Sequence, residues 1–109
     1  MSLIESKCEA CTIDAPLVTD SEAKDLILEL DGWAIDNDSG INKLVKTYKF
    51  SNYAESVKFS NKVAELAENE DHHPKIILEY GCVEVLWWSH KIKGLHKNDF
   101  ICAAKTDLI

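Results

Sequence analysis

Residues 75–89 read KIILEYGCVEVLWWS. Lys75 to Tyr80 alternates, with Ile76, Leu78 and Tyr80 on one face, and Gly81-Cys82 supplies a tight connection. Val83 to Ser89 alternates again, setting Val83, Val85 and Trp87 opposite Glu84, Leu86 and Trp88. Two runs of period two around a glycine predict a half-buried antiparallel hairpin, with a turn at 81–82 that puts Lys75 near Trp88. Pro74, just before it, ends any helix arriving from upstream and holds the preceding residue extended.

The same pattern recurs upstream. Trp33-Ala34-Ile35 reads as a short strand, residues 36–40 (DNDSG) as a turn, and Ile41 to Phe50 as a second alternating strand. Between the two hairpins, Ser51 is placed to cap a helix from about Asn52 to Asn69. Its apolar residues, among them Tyr53, Phe59, Val63 and Ala67, cover about half the circumference. Thr19 and Glu22 are spaced as a capping box for a first helix that Gly32 ends, and a last helix follows Gly94-Leu95, from about Lys97 to Leu108. The order is α-β-β-α-β-β-α, which predicts an α+β fold: a four-stranded antiparallel sheet with helices packed on one face. The other face stays half exposed and favours a homo-oligomer or a ligand. Residues 1–18 read as an irregular lead-in and 19–109 as a single domain.

Composition narrows the classes. With 109 residues, 46% of them hydrophobic and 28% charged, the chain reads as one globular domain. A net charge of −7 argues against direct nucleic-acid binding, which leaves a basic footprint. No apolar run reaches the ~20 residues of a membrane helix, and the N-terminus lacks a basic-then-apolar signal, so the expected location is cytoplasmic and off the membrane. Cys8 and Cys11 form a C-x-x-C pair, while Cys82 and Cys102 stand twenty residues apart. The pair reads as part of a non-catalytic lead-in, with metal or redox chemistry as the alternative.

All four histidines fall between positions 72 and 96. His72-His73 sit where the second helix gives way to a strand, and His90 ends the other strand of that hairpin, so three imidazoles meet at its open end beside Glu68, Glu70 and Asp71. Imidazoles near carboxylates can divide acid and base roles at neutral pH. They can also hold a metal, or simply place cations at a helix C-terminus. On these residues alone all three readings stand.

The full spacing is Glu68-x-x-x-His72-His73-Pro74, five residues to Tyr80, nine to His90 and eight to Asp99. This resembles the signature of the pterin-4a-carbinolamine dehydratases. Gly32-Trp33, Phe50, Phe59, Ala64-Glu65, Ala67-Glu68 and Gly94-Leu95 extend the likeness from about residue 19 to the end, and the lead-in looks like that of some bacterial members.

The resemblance implies a lyase needing no metal and no cofactor. Its substrate would be the 4a-hydroxytetrahydropterin left by an aromatic amino-acid hydroxylase. Its product would be quinonoid dihydropterin, which a reductase recycles to tetrahydrobiopterin. His72 and His90 match the family's acid–base pair, and His73 the histidine that holds the 4a-hydroxyl. Glu68 and Asp71 match positions near the site, Pro74 aims the histidine pair, and Ser89 lies in the segment that bonds the pterin ring. Trp33 is the candidate aromatic wall, against a reading as core. Tyr80 reads as a packed strand aromatic and Asp99 as a helix-capping residue. Family members form dimers and tetramers, and some animal members also bind a homeodomain transcription factor, so an interaction module is the alternative function. Two features depart from the family: His96 stands where a capping hydroxyl is usual, and Trp87-Trp88 are bulkier than expected beside a pterin.

Overall fold

In the computed structural model, which describes residues 17–109, the stretch 75–89 forms the expected hairpin of β3 (Lys75–Glu79) and β4 (Cys82–Trp87). Its turn is Tyr80-Gly81, with Gly81 at φ 73°, and Lys75 lies opposite Leu86 rather than Trp88. The glycine takes the second turn position, where a left-handed backbone is needed, and not the first. The register differs from expectation by two residues, and an even shift leaves every side chain on its expected face. The first hairpin joins β1 (Ala34–Asp38) to β2 (Ile41–Lys49). Ser39 and Gly40 both have positive φ, at 54° and 84°, which is the tight turn that matches strand twist. Two residues suffice to reverse the chain, so β1 runs to Asp38, through a segment that reads as turn.

β2 pairs with β4, giving the antiparallel order β1-β2-β4-β3. The two central strands and the two longer helices, α2 (Tyr53–Glu70) and α3 (Lys97–Thr106), enclose the core. Leu44, Val83, Val85 and Trp87 from the sheet meet Val63, Phe100 and Cys102 from the helices, all fully buried. A Lys105–Glu70 ion pair ties α3 to α2. The first helix, α1 (Asp20–Ile27), carries the expected Thr19–Glu22 capping box and buries none of its residues. It stops at Ile27, five residues before the glycine expected to end it. The lead-in and its Cys8-Cys11 pair lie outside the described residues, apart from Leu17 and Val18, and the Val18 N–H donates to the Leu95 carbonyl.

Three local features shape α2 and the chain that leaves it. Asn52, not Ser51, caps the helix, accepting from the Glu55 N–H at 2.8 Å. The buried stripe of α2 is narrower than half the helix, comprising Ser56, Phe59, Val63 and Ala67, and Tyr53 is exposed. At its far end Asp71 takes the left-handed conformation (φ 49°, ψ 42°), its N–H reaching Glu68 O while His72 N–H reaches Ala67 O. That is the Schellman stop, and it turns the chain before Pro74 is reached. A side chain in this conformation costs roughly 1–2 kcal/mol, least for Asp, Asn and Gly. Asp71→Gly is therefore expected to unfold within about 1 kcal/mol of wild type, whereas Asp71→Val should lose roughly 1–2 kcal/mol; denaturant titration reads both.

At the other end of α3, Asp107 accepts from Trp33 Nε1 (3.0 Å), Lys46 Nζ (2.8 Å) and the Tyr48 hydroxyl. Burial first, then the Asp107 carboxylate, push the Tyr48 phenol far above its usual range. A phenol that ionises only in the unfolded chain stabilises the fold below about pH 10 and loses that contribution as pH rises further. Stability should thus fall above about pH 10, and Tyr48→Phe should make the fall shallower in alkaline thermal melts.

Candidate active site

The left-handed turn at Asp71 lets His72 fold back under the sheet while His73 stays outside. His72 is only 4% exposed, and its ring stacks on Trp87, 5.6 Å between centroids and 11° between planes. Its Nε2 lies 2.6 Å from Asp99 Oδ1. Asp99 belongs to the first turn of α3 and is fully buried; its Oδ2 accepts from the Ser89 hydroxyl and the His96 N–H, each at 2.9 Å. One carboxylate so ties together the end of α2, the end of β4 and the start of α3. Burying it costs several kcal/mol, and three hydrogen bonds to a charged acceptor, each worth roughly 1.5–3 kcal/mol, offset that.

His96 fills the place of the missing cap hydroxyl. Its Nδ1 accepts from the Asn98 N–H at 3.0 Å, and Asp99 completes the box. The cap is intact where the sequence suggests a weaker one.

Ser89 closes a short loop by pairing with Gly94, and His90 stands in that loop. His90 Nε2 lies 3.2 Å from the His73 carbonyl, and its ring lies 4.3 Å from that of Trp88. His73 Nε2 in turn lies 2.7 Å from Glu68 Oε1, the two side chains being 56% and 78% exposed. Carbonyl and ionised carboxylate oxygens only accept. Each of the three rings therefore donates through Nε2, and in the neutral ring Nδ1 carries the lone pair. An anion behind a ring also steadies the charge created when a proton arrives at the other nitrogen.

Of the residues expected at the site, the structure joins His73 to Glu68 and, through its carbonyl, to His90, and joins His72 to Ser89 through Asp99. Asp71 and Pro74 shape the backbone between α2 and β3. Trp33 lies elsewhere: it is buried and bonded to Asp107, eight residues along α3 from Asp99, or about 12 Å at the helical rise. Tyr80 is 73% exposed in the turn at the opposite end of the hairpin, not packed in a strand. Asp99 was legible as a cap through its spacing from His96; its bonds to His72 and Ser89 had no local signal. Among the described residues no group of three or more His, Cys, Asp or Glu is arranged to hold a metal ion, and no helix is long and apolar enough to cross a membrane.

The described residues form a small α+β domain in which two imidazoles meet carboxylates and a third meets a backbone carbonyl, groups chemically able to move protons. The profile of the Pterin 4 alpha carbinolamine dehydratase family matches residues 16–109. A Vibrio vulnificus protein named "Putative pterin-4-alpha-carbinolamine dehydratase" is 60% identical over 107 residues, covering 98% of this chain and 97% of its own. A Saccharophagus degradans protein of the same name is 52% identical over 105 residues, covering 96% and 93%. A Brucella melitensis crystal structure described as a transcriptional coactivator/pterin dehydratase superposes with a TM-score of 0.76 at 28% identity, covering 85% of this chain and 97% of that one. The chain belongs to the pterin-4a-carbinolamine dehydratase family.

Proposed function

We propose that the protein dehydrates a 4a-hydroxytetrahydropterin to the quinonoid dihydropterin. The observation that carries this reading is the orientation of three imidazoles at the open end of one hairpin, each with its Nε2 at an oxygen acceptor. The reaction breaks the C4a–O bond and the N5–H bond, forms the C4a=N5 double bond and releases water. It needs one proton donor for the departing hydroxyl and one base for N5. His72 and His90 take those two roles through Nδ1, and His73, exposed and held by Glu68, binds the 4a-hydroxyl. Asp99 fixes the tautomer of His72 and accepts from Ser89 at the end of β4, and Pro74 leads the histidine pair into β3. Trp33 has no part in it. The proton traffic uses protein groups alone, with no metal or cofactor.

The family resemblance supports a place in recycling the tetrahydropterin spent by an aromatic amino-acid hydroxylase, in the cytoplasm. The exposed edges β1 and β3 favour a homo-oligomer.

Titration with 7,8-dihydropterin, a stable mimic of the product ring, tests the site. Ring resonances of His72, His73 and His90 should move together while that of His96 moves little. Binding that leaves the first three unmoved would place the pterin elsewhere.

The Brucella melitensis description favours a second reading, a protein-interaction module. On that reading, partner binding survives substitution of all three histidines, and the wild-type protein shows no dehydration.

A further inference from the structure

β4 ends at Trp87 and Trp88 follows it directly, and alternation continued through that extended residue sends the two rings to opposite faces of the sheet. Trp87 is fully buried on the helix side and carries His72. Trp88 is half-buried on the open side and lies against His90, with centroids 4.3 Å apart and planes at 38°. Lys43 reaches Trp88 from β2. Its neighbour Leu44 pairs with Trp87, so Lys43 shares the open face, and its Nζ stands 4.1 Å above the indole centroid. Lys43 is itself only 9% exposed, so the ammonium is held against the ring rather than sweeping solvent.

We propose that Trp88, held by Lys43, is a positioning residue that sets the plane of the His90 imidazole and with it the direction of Nδ1. This rests on the dehydratase reading above. Among the described residues His90 is held at two points, the 3.2 Å bond from Nε2 to the His73 carbonyl and the face of Trp88. One hydrogen bond fixes one atom and lets the ring pivot about it; a flat aromatic neighbour removes the pivot. His90 is exposed, in a short loop that turns through left-handed Lys93, so burial does not impose its orientation. The attraction of the ammonium for the indole face anchors the shelf in turn. The bulk of Trp88 that looks misplaced beside a pterin is thereby accounted for: the ring serves the histidine.

The test is a cycle of Trp88→Leu, Trp88→Phe and Lys43→Met, each made in wild type and in His90→Ala. Misaligning a group that acts in the transition state lowers kcat and leaves ground-state binding alone. Trp88→Leu should lose about tenfold in kcat with KM within about twofold, and Trp88→Phe should recover most of the loss. Lys43→Met should fall between them. In the His90→Ala background none of the three should cost more. Losses that multiply with that of His90→Ala overturn the proposal. A second readout needs no turnover: the His90 ring protons should shift in Trp88→Leu by losing the indole ring current, with the amide spectrum otherwise native. Unmoved ring protons overturn the positioning role whatever the enzyme does. Absence of dehydration by wild type, with the ring protons shifted, overturns the dehydratase reading and leaves the contact standing as a binding-site feature.

Discussion

His90→Ala is expected to slow dehydration by about 10²- to 10⁴-fold, the range lost when a general acid or base is removed. The loss should fall on kcat. His90 is exposed and sits in a loop, and its one hydrogen bond is to a backbone carbonyl at 3.2 Å. Its removal should therefore cost the fold no more than the few tenths of a kcal/mol typical of surface changes, within about 0.5 kcal/mol. That separation makes it the cleanest of the three histidines to test. His72→Ala should lose as much activity but also empties a buried site stacked on Trp87, so stability falls with it. A His90→Ala protein that turns over at the wild-type rate would remove His90 from the chemistry.

Asp99→Ala is expected to have the largest effect on the fold itself. Three donors, His72 Nε2–H, Ser89 Oγ–H and His96 N–H, lose their acceptor at once in a fully buried place. Removing one side of a buried polar cluster costs roughly 3–5 kcal/mol, a large share of the 5–15 kcal/mol that holds a domain together. Asp99→Asn is the more informative variant. The amide keeps the shape but offers a donor on one side, where three donors already converge. If the amide nitrogen faces His72, that ring must present its Nε2 lone pair and move its proton to Nδ1, the atom assigned to proton exchange. Activity should then drop well beyond what the loss of stability explains. Histidine ¹⁵N spectra should show the exchanged tautomer of His72. An Asp99→Asn protein with native activity and an unchanged His72 tautomer would reduce Asp99 to a helix cap.

How far the sequence could be read depends on the range of each interaction. Strand alternation and the Thr19–Glu22 box are local, and both the hairpins and the first helix start appear where they were expected. Register depends on which turn position a glycine takes, a choice between Gly81 as first or second residue that alternation cannot make, so the β3–β4 pairing was off by two. Ser51 and Asn52 are equally able to cap α2, and the backbone decides for Asn52, which is extended at φ −157°. Positions 72, 73 and 90 were expected at one end of the hairpin from its alternation alone, and the left-handed stop at Asp71 with the β3–β4 pairing places them there. The role of Asp99 was not, because its bond to His72 spans 27 residues and depends on how α3 docks. The bond of Trp33 was out of reach for the same reason: its partner, Asp107, lies 74 residues away and nothing nearby announces it.

The most direct measurement is stopped-flow absorbance on freshly generated 4a-hydroxytetrahydropterin, with chelated wild-type protein beside the His72→Ala/His73→Ala/His90→Ala triple variant. The proposed chemistry predicts rapid appearance of the quinonoid dihydropterin with wild type and the buffer rate with the triple variant, provided the variant keeps a folded amide spectrum. A wild-type rate no faster than buffer, or a folded triple variant as fast as wild type, would contradict it.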